Sequence, residues 1–167
     1  MSKYYFLSKN PQPQNENHKQ TDGVGKNNGE SRGGVMKQEI RLKNNGDNTV
    51  TDSKTGLQWV KDHAAVPGFA KELKWKDAVK ACQELDFAGH KDWRLPTREE
   101  LLSIVDLTRY SPAIDPIFTN THRSWYWAST PCAFSEGAAW CVDFTSGGVF
   151  DVSKGDYNYV RPVRSSQ

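Results

Sequence analysis

Residues 92–105 read Asp-Trp-Arg-Leu-Pro-Thr-Arg-Glu-Glu-Leu-Leu-Ser-Ile-Val, and the order of residue types within them sets the fold class. Pro96 pushes Leu95 out of the α region, so Asp92 to Leu95 is extended. Thr97 and Glu100 then stand at the spacing of a capping box. The Thr97 hydroxyl can accept from the Glu100 N–H while the Glu100 carboxylate reaches back. A helix therefore starts at Thr97, with Leu101, Ile104 and Val105 on its buried face and Leu102 widening that face.

Upstream of this switch the chain reads as a hairpin and one helix. Asn45-Gly46 is a hairpin turn dipeptide, and Thr49 to Asp52 and Leu57 to Val60 are short β-type runs around a turn at Gly56. Trp75, Ala78, Val79, Cys82 and Leu85 form one apolar stripe of helical period, with Lys74, Lys76, Asp77, Lys80 and Glu84 on the other face. Downstream, residues 107–124 are irregular. The runs Tyr126 to Ser129, Ala138 to Thr145, Gly148 to Ser153 and Tyr157 to Arg164 are β-type, and Ser146-Gly-Gly148 makes a tight turn. The expected fold is α+β, with two helices packed on a mainly antiparallel sheet.

The polar part of the chain lies in front of this unit. All six Trp fall from Trp59 onward, and residues 8–34 hold Val24 as their only aliphatic. Such a stretch buries too little apolar surface to offset the entropy of ordering. Residues 1–35 are therefore expected to be a disordered tail or linker, and residues 36–167 the folded domain. The opening Met1-Ser-Lys-Tyr-Tyr-Phe-Leu7 falls short of a secretory signal, because its apolar run is four residues long and no small-residue cleavage site follows. Twenty-two Lys and Arg against 20 Asp and Glu leave a formal charge of +2. That balance argues against a generic nucleic-acid binder. No apolar run of membrane-spanning length occurs, so membrane insertion is not expected.

Several phrases in the folded part line up with one family. They are Asn45-Gly-Asp-Asn-Thr-Val-Thr-Asp52 leading into Thr55-Gly-Leu-Gln-Trp59, Asp92-Trp-Arg-Leu-Pro-Thr97 with Glu100-Leu101, and Pro112-Ala-Ile-Asp-Pro116. Tyr126-Trp-Ala-Ser-Thr130, Ala139-Trp-Cys-Val-Asp-Phe144 and Tyr159-Val-Arg-Pro-Val-Arg164 complete the set. In this order they resemble the bacterial and phage domain DUF1566, the C-terminal domain family of the Legionella collagen-like adhesin, over roughly residues 40–167. The resemblance implies a C-type lectin-like fold and an extracellular or cell-surface binding module. In the collagen-like adhesin the domain is associated with sulfated glycans. Distant relatives include phage tropism determinants and formylglycine-generating enzymes.

Three cysteines leave at least one unpaired in a monomer. Similar family members often join a helix cysteine to one in the last strand. Cys82 matches the helix position, but Pro162 stands at the strand position, so that crosslink cannot form here. Cys82 then reads as a small buried hydrophobe. Cys132 and Cys141 are candidates for a disulfide in an oxidising compartment, with free thiols as the alternative.

Catalytic and metal patterns are sparse. His18, His63, His90 and His122 are scattered, with no ligand spacing among them, and read as solvent-facing or hydrogen-bonded. Asn44 to Asp52 fails the register of a calcium loop. Gly23-Val-Gly25 lacks the strand and helix of a phosphate cradle, and no hydrolase elbow is present. No cofactor and no metal are expected. What remains is surface recognition. Arg123, Trp125 and Tyr126 lead into a strand, and Lys154, Tyr157, Asn158 and Tyr159 surround a hairpin, with Asp143 between them. Rings stack on sugar faces, amides bond hydroxyls, and cations pair with sulfate or carboxylate. Trp59, Trp75, Trp93, Trp127 and Trp140 read instead as core, with Trp140, Val142 and Phe144 on one strand face and Cys141 and Asp143 on the other. Arg94, Arg161 and Arg164 read as partners of carboxylates or carbonyls inside the fold. The expected function is a non-enzymatic module that binds a glycan, sulfated ones included, or a protein surface. The alternatives are a structural interaction module of a cell-surface or phage assembly and, further off, an enzyme like the formylglycine-generating relatives.

Overall fold

The computed structural model describes residues 40–166. The polar tail expected over residues 1–35 lies outside the described residues. The domain opens with β1 (Leu42–Asn44), β2 (Thr49–Asp52) and β3 (Leu57–Val60), an antiparallel meander. The turn between β1 and β2 is the expected one. Asp47 accepts from the Thr49 N–H at 3.0 Å, and Gly46 takes a φ of +87°, a region that an L side chain resists.

A 3₁₀ turn over His63–Ala65 leads to β4 (Leu73–Lys74), which runs directly into α1 (Trp75–Gln83). Ala78 and Cys82 are the fully buried members of its stripe. The second helix, α2 (Arg98–Ser103), carries the expected capping box, with Glu100 N–H to Thr97 Oγ1 at 3.1 Å and Thr97 N–H to Glu100 at 2.8 Å. Leu101 is buried beneath it, but Leu102 is exposed, because a helix of six residues presents one narrow face to the core.

The C-terminal half is β5 (Trp125–Pro131), β6 (Ala138–Asp143), β7 (Val149–Ser153), β8 (Tyr157–Asn158) and β9 (Val163–Ser165). Strands β5, β6 and β7 form an antiparallel sheet of three. The run expected as one strand over Tyr157 to Arg164 is broken in two. β8 pairs with β4, and β9 pairs antiparallel with β3 to close a sheet of four. The break falls where Pro162 has no N–H to donate and where Arg161 turns its side chain fully inward. The α+β class with mostly antiparallel strands is as expected, but the strands divide among three sheets rather than one.

Strand β6 separates two cores. On one face, Val142 packs with Val50, Trp59, Leu101, Ile104, Tyr126, Phe144 and Val163. On the other, Cys141 and Ala139 pack with Val60, Ala78, Cys82, Trp93, Trp127 and Val160. Cys141 therefore lies on a buried face, not an outer one. Trp140, expected in the core, is half-buried at its rim, capped by the Arg98 guanidinium 4.8 Å from its ring. The inner arginines bridge elements as expected. Arg94 forks onto Glu100 at 2.6 and 2.7 Å, and Arg164 joins Asp92 at 2.7 Å and Gln58 at 2.6 Å.

Candidate functional site

The eight expected recognition residues do not form one patch. Arg123, Trp125 and Tyr157 are exposed, Asp143, Lys154 and Tyr159 are half-buried, and Tyr126 and Asn158 are buried. The last two are corrections. Tyr126 is the second residue of β5 and faces the first core. Asn158 sits opposite Leu73 in the β4–β8 pair, inside the fold. Neither presents a side chain to an external ligand.

Tyr126 instead belongs to a buried network. His63 has no exposed surface; its Nδ1 lies 3.0 Å from the Phe69 carbonyl and its Nε2 lies 2.8 Å from the Tyr126 hydroxyl. A carbonyl can only accept, so Nδ1 carries the proton and Nε2 is the acceptor. Tyr126 therefore donates to His63 and accepts from the His122 N–H at 2.8 Å. Burial, reinforced by the nearby Arg161 guanidinium, lowers the His63 pKa to about 4, and burial raises that of Tyr126 to about 12. Arg161 is fully buried and donates to the carbonyls of Val60 at 2.8 Å and Lys61 at 2.6 Å and to Thr121 Oγ1 at 2.7 Å. Outside this network, His122 stacks on Tyr159 with ring centroids 4.1 Å apart and planes 5° apart. Both rings are half-buried, and His122 lines an open cavity of about 370 Å³ together with Ala64, Asn120 and Thr121.

Two surface arrangements remain. The first is a strip on the β4–β8 pair and the start of α1. Register sets Lys74 opposite Tyr157, with the ammonium 5.3 Å from the ring centroid. The turn before β8 puts Lys154 4.8 Å from the centroid of Trp75, whose N–H bonds the Lys154 carbonyl at 3.3 Å. Trp75 is held in place from below, its indole N–H reaching the Ala128 carbonyl at 2.9 Å. Two cation–ring pairs, Lys74 with Tyr157 and Lys154 with Trp75, thus lie at the junction of β4, α1 and β8. An ammonium beside a ring face can pair with an anionic group while the ring stacks on an apolar one.

The second arrangement is on the three-stranded sheet. Trp125 on β5 and Phe150 on β7 stack with centroids 5.4 Å apart and planes 20° apart. Each is partly open to solvent, 38% and 44%. Between them on β6, Asp143 is the register partner of Trp125. Its carboxylate accepts from the Thr145 N–H at 2.7 Å and the Ser146 hydroxyl at 3.0 Å, closing the turn into β7.

Phe150, Lys74 and Trp75 are absent from the sequence-derived set. Lys74 and Trp75 read as the flanks of an amphipathic helix, and nothing in the linear order says that β8 folds back beside them. The one local signal for Phe150 is Gly148. A Cβ there would lie 2.9 Å from the Phe150 ring, so the glycine is what lets that ring lie back over the strand end.

The cysteines are free thiols, all buried. The candidate bridge between Cys132 and Cys141 is ruled out by register. Pro131 pairs with Ala139, which sets Cys132 beside Ala138, three residues from Cys141 along β6. That offset is about 10 Å at strand rise, beyond the reach of a disulfide. Burial pushes the Cys82 pKa up to about 12 and raises that of Cys141 as well. Among the described residues, no group of three His, Cys, Asp or Glu converges as a metal site, and no helix is long and apolar enough to cross a membrane.

No curated protein matches the chain. The family model described as the Lcl C-terminal domain matches residues 48–164, more than half of the sequence and nearly all of the folded unit, from β2 into β9. With the matched span coinciding with the two-core α+β domain, the chain belongs to the Lcl C-terminal domain family.

Proposed function

We propose that this domain is a non-enzymatic, surface-displayed recognition module of C-type lectin-like fold, and that it binds a glycan, sulfated ones included. The observation that carries this reading is the two cation–ring pairs at the junction of β4, α1 and β8, Lys74–Tyr157 and Lys154–Trp75. A sulfate or carboxylate on a sugar would pair with the ammonium groups while the apolar sugar face stacks on Tyr157, the most open of the rings at 59%. Family membership supports an adhesin-like module displayed at a surface. The buried, high-pKa thiols of Cys82 and Cys141 and the separation of Cys132 from Cys141 favour binding over a thiol mechanism of the formylglycine-generating kind.

The test is calorimetric titration of the full chain with a sulfated oligosaccharide and its desulfated counterpart. The sulfated form is expected to bind at least tenfold more tightly, and Lys74→Ala and Tyr157→Ala each to weaken it severalfold. No binding of either sugar at high protein concentration sinks the glycan reading. The second reading, a module that docks on a protein within a cell-surface or phage assembly, is favoured by the stacked Trp125–Phe150 pair. Paired aromatics open to solvent are typical anchors of protein interfaces.

A further inference from the structure

Asp143 lies on β6, the strand between those that carry the stacked Trp125 and Phe150. Trp125 and Phe150 sit on strands two apart, whose backbones are about 10 Å from each other. Their centroids are only 5.4 Å apart, so both rings lean inward over β6. Phe150 leans towards Gly148, the residue whose carbonyl accepts the Asp143 N–H at 2.8 Å. The two rings therefore meet beside Asp143. Its carboxylate takes two hydrogen bonds from its own turn, which leaves acceptor capacity and a full negative charge. Among the described residues no Lys, Arg or His forms an ion pair with it, although Arg123 lies only two residues before Trp125.

We propose that Trp125, Phe150 and Asp143 form a receptor for an arginine side chain of a protein partner. A guanidinium is planar, stacks on aromatic faces and donates in a fork to a carboxylate, so it can pair with Asp143 while lying on the solvent-open face of the Trp125–Phe150 stack. An ammonium supplies the charge but not the flat face. A neutral sugar supplies a stacking face but leaves the Asp143 charge unpaired. This subsite rests on the reading of the domain as a recognition module and adds a position opposite in charge to the lysine strip. The two are separable, because the strip residues lie on β4, α1, the β7–β8 turn and β8.

The test uses the full chain and the probe Ac-Gly-Arg-Gly-NH2, followed by NMR shift of the Trp125 indole N–H. Its neutral isostere with citrulline in place of arginine, and the lysine tripeptide, are run beside it. The arginine probe is expected to give a saturable shift. The citrulline probe should bind at least tenfold more weakly and the lysine probe severalfold more weakly. Asp143→Asn, which keeps an acceptor for the Thr145 N–H, should weaken the arginine probe at least fivefold; Trp125→Ala, which lacks the indole reporter and is read by calorimetry, should do the same, while Lys74→Ala leaves the probe unchanged. Gly148→Ala should weaken it too, by displacing Phe150. Equal affinity for citrulline and arginine overturns the proposal on the unaltered chain, whatever the variants do. An unmoved Trp125 indole does the same. Equal affinity for lysine removes the guanidinium assignment. Loss of sulfated-sugar binding in Lys74→Ala with the arginine probe unaffected would support both sites as distinct.

Discussion

Lowering the pH should destabilise this domain through one residue, and the size of the effect follows from the site. His63 is held neutral, with Nδ1–H on the Phe69 carbonyl and Nε2 accepting from Tyr126. Its pKa falls from 6.5 to about 4 in the folded protein. The unfolded chain therefore binds a proton below pH 6.5 that the folded chain refuses until about pH 4. Stability is lost as pH falls through that window, with a slope approaching about 1.4 kcal/mol per pH unit. The full effect is about 3 kcal/mol, a large fraction of the stability of an ordinary domain. Protonation would force Nε2 to donate, so the Tyr126 hydroxyl would lose its acceptor while Arg161 lies close by. The assay is urea unfolding at several pH values between 7 and 4.5, on the unaltered chain and on His63→Gln. Glutamine can still donate to Phe69 and accept from Tyr126, but it does not titrate. Carboxylates and the other histidines are common to both proteins and cancel in the difference. The difference in unfolding free energy between the two proteins should change by about 2–3 kcal/mol across the range, with the variant less sensitive to acid. Curves that stay parallel within about 0.5 kcal/mol would show that His63 does not carry the acid sensitivity.

Arg161 satisfies two carbonyls and a hydroxyl from full burial. Arg161→Ala leaves those groups unpaired and should cost about 3–5 kcal/mol, read as a lowered thermal midpoint. A count of thiols under denaturing, non-reducing conditions should find all three cysteines free, and the native protein should react slowly because every sulfur is buried. A missing pair of thiols would contradict the β5–β6 register.

Local features were legible where a few neighbouring residues decide them. The Thr97–Glu100 box, the turns at Gly46 and Gly56, the apolar stripe of α1 and the inward arginines each depend on spacing within a short window or on one side chain's need for partners. The candidate site was legible only in part. Trp125, Tyr157 and Lys154 lie on exposed or half-exposed positions as expected, but Tyr126 and Asn158 point into the fold. Alternation tells which residues share a face; it does not tell which face meets water. On β6 both faces are covered, so Cys141 is as buried as Val142. Trp125 and Trp127 share a face and differ in fate, one opening to solvent and one filling the second core, because α1 covers only part of that face.

The α+β class, the order of hairpin, helices and late strands, and the family are all written in short windows of the chain, since periodicity, caps and turn residues are local properties and the family phrases are read in line. Long-range packing is what splits residues 157–164 between two sheets, brings Lys74 and Trp75 to Tyr157 and Lys154, and sets Phe150 on Trp125. Those pairings join residues far apart in the chain, Leu73 with Asn158 and Leu57 with Ser165 among them. They are set by how two hydrophobic cores on opposite faces of β6 are closed at once, which is a property of the whole chain's packing and leaves no mark in any short window of sequence.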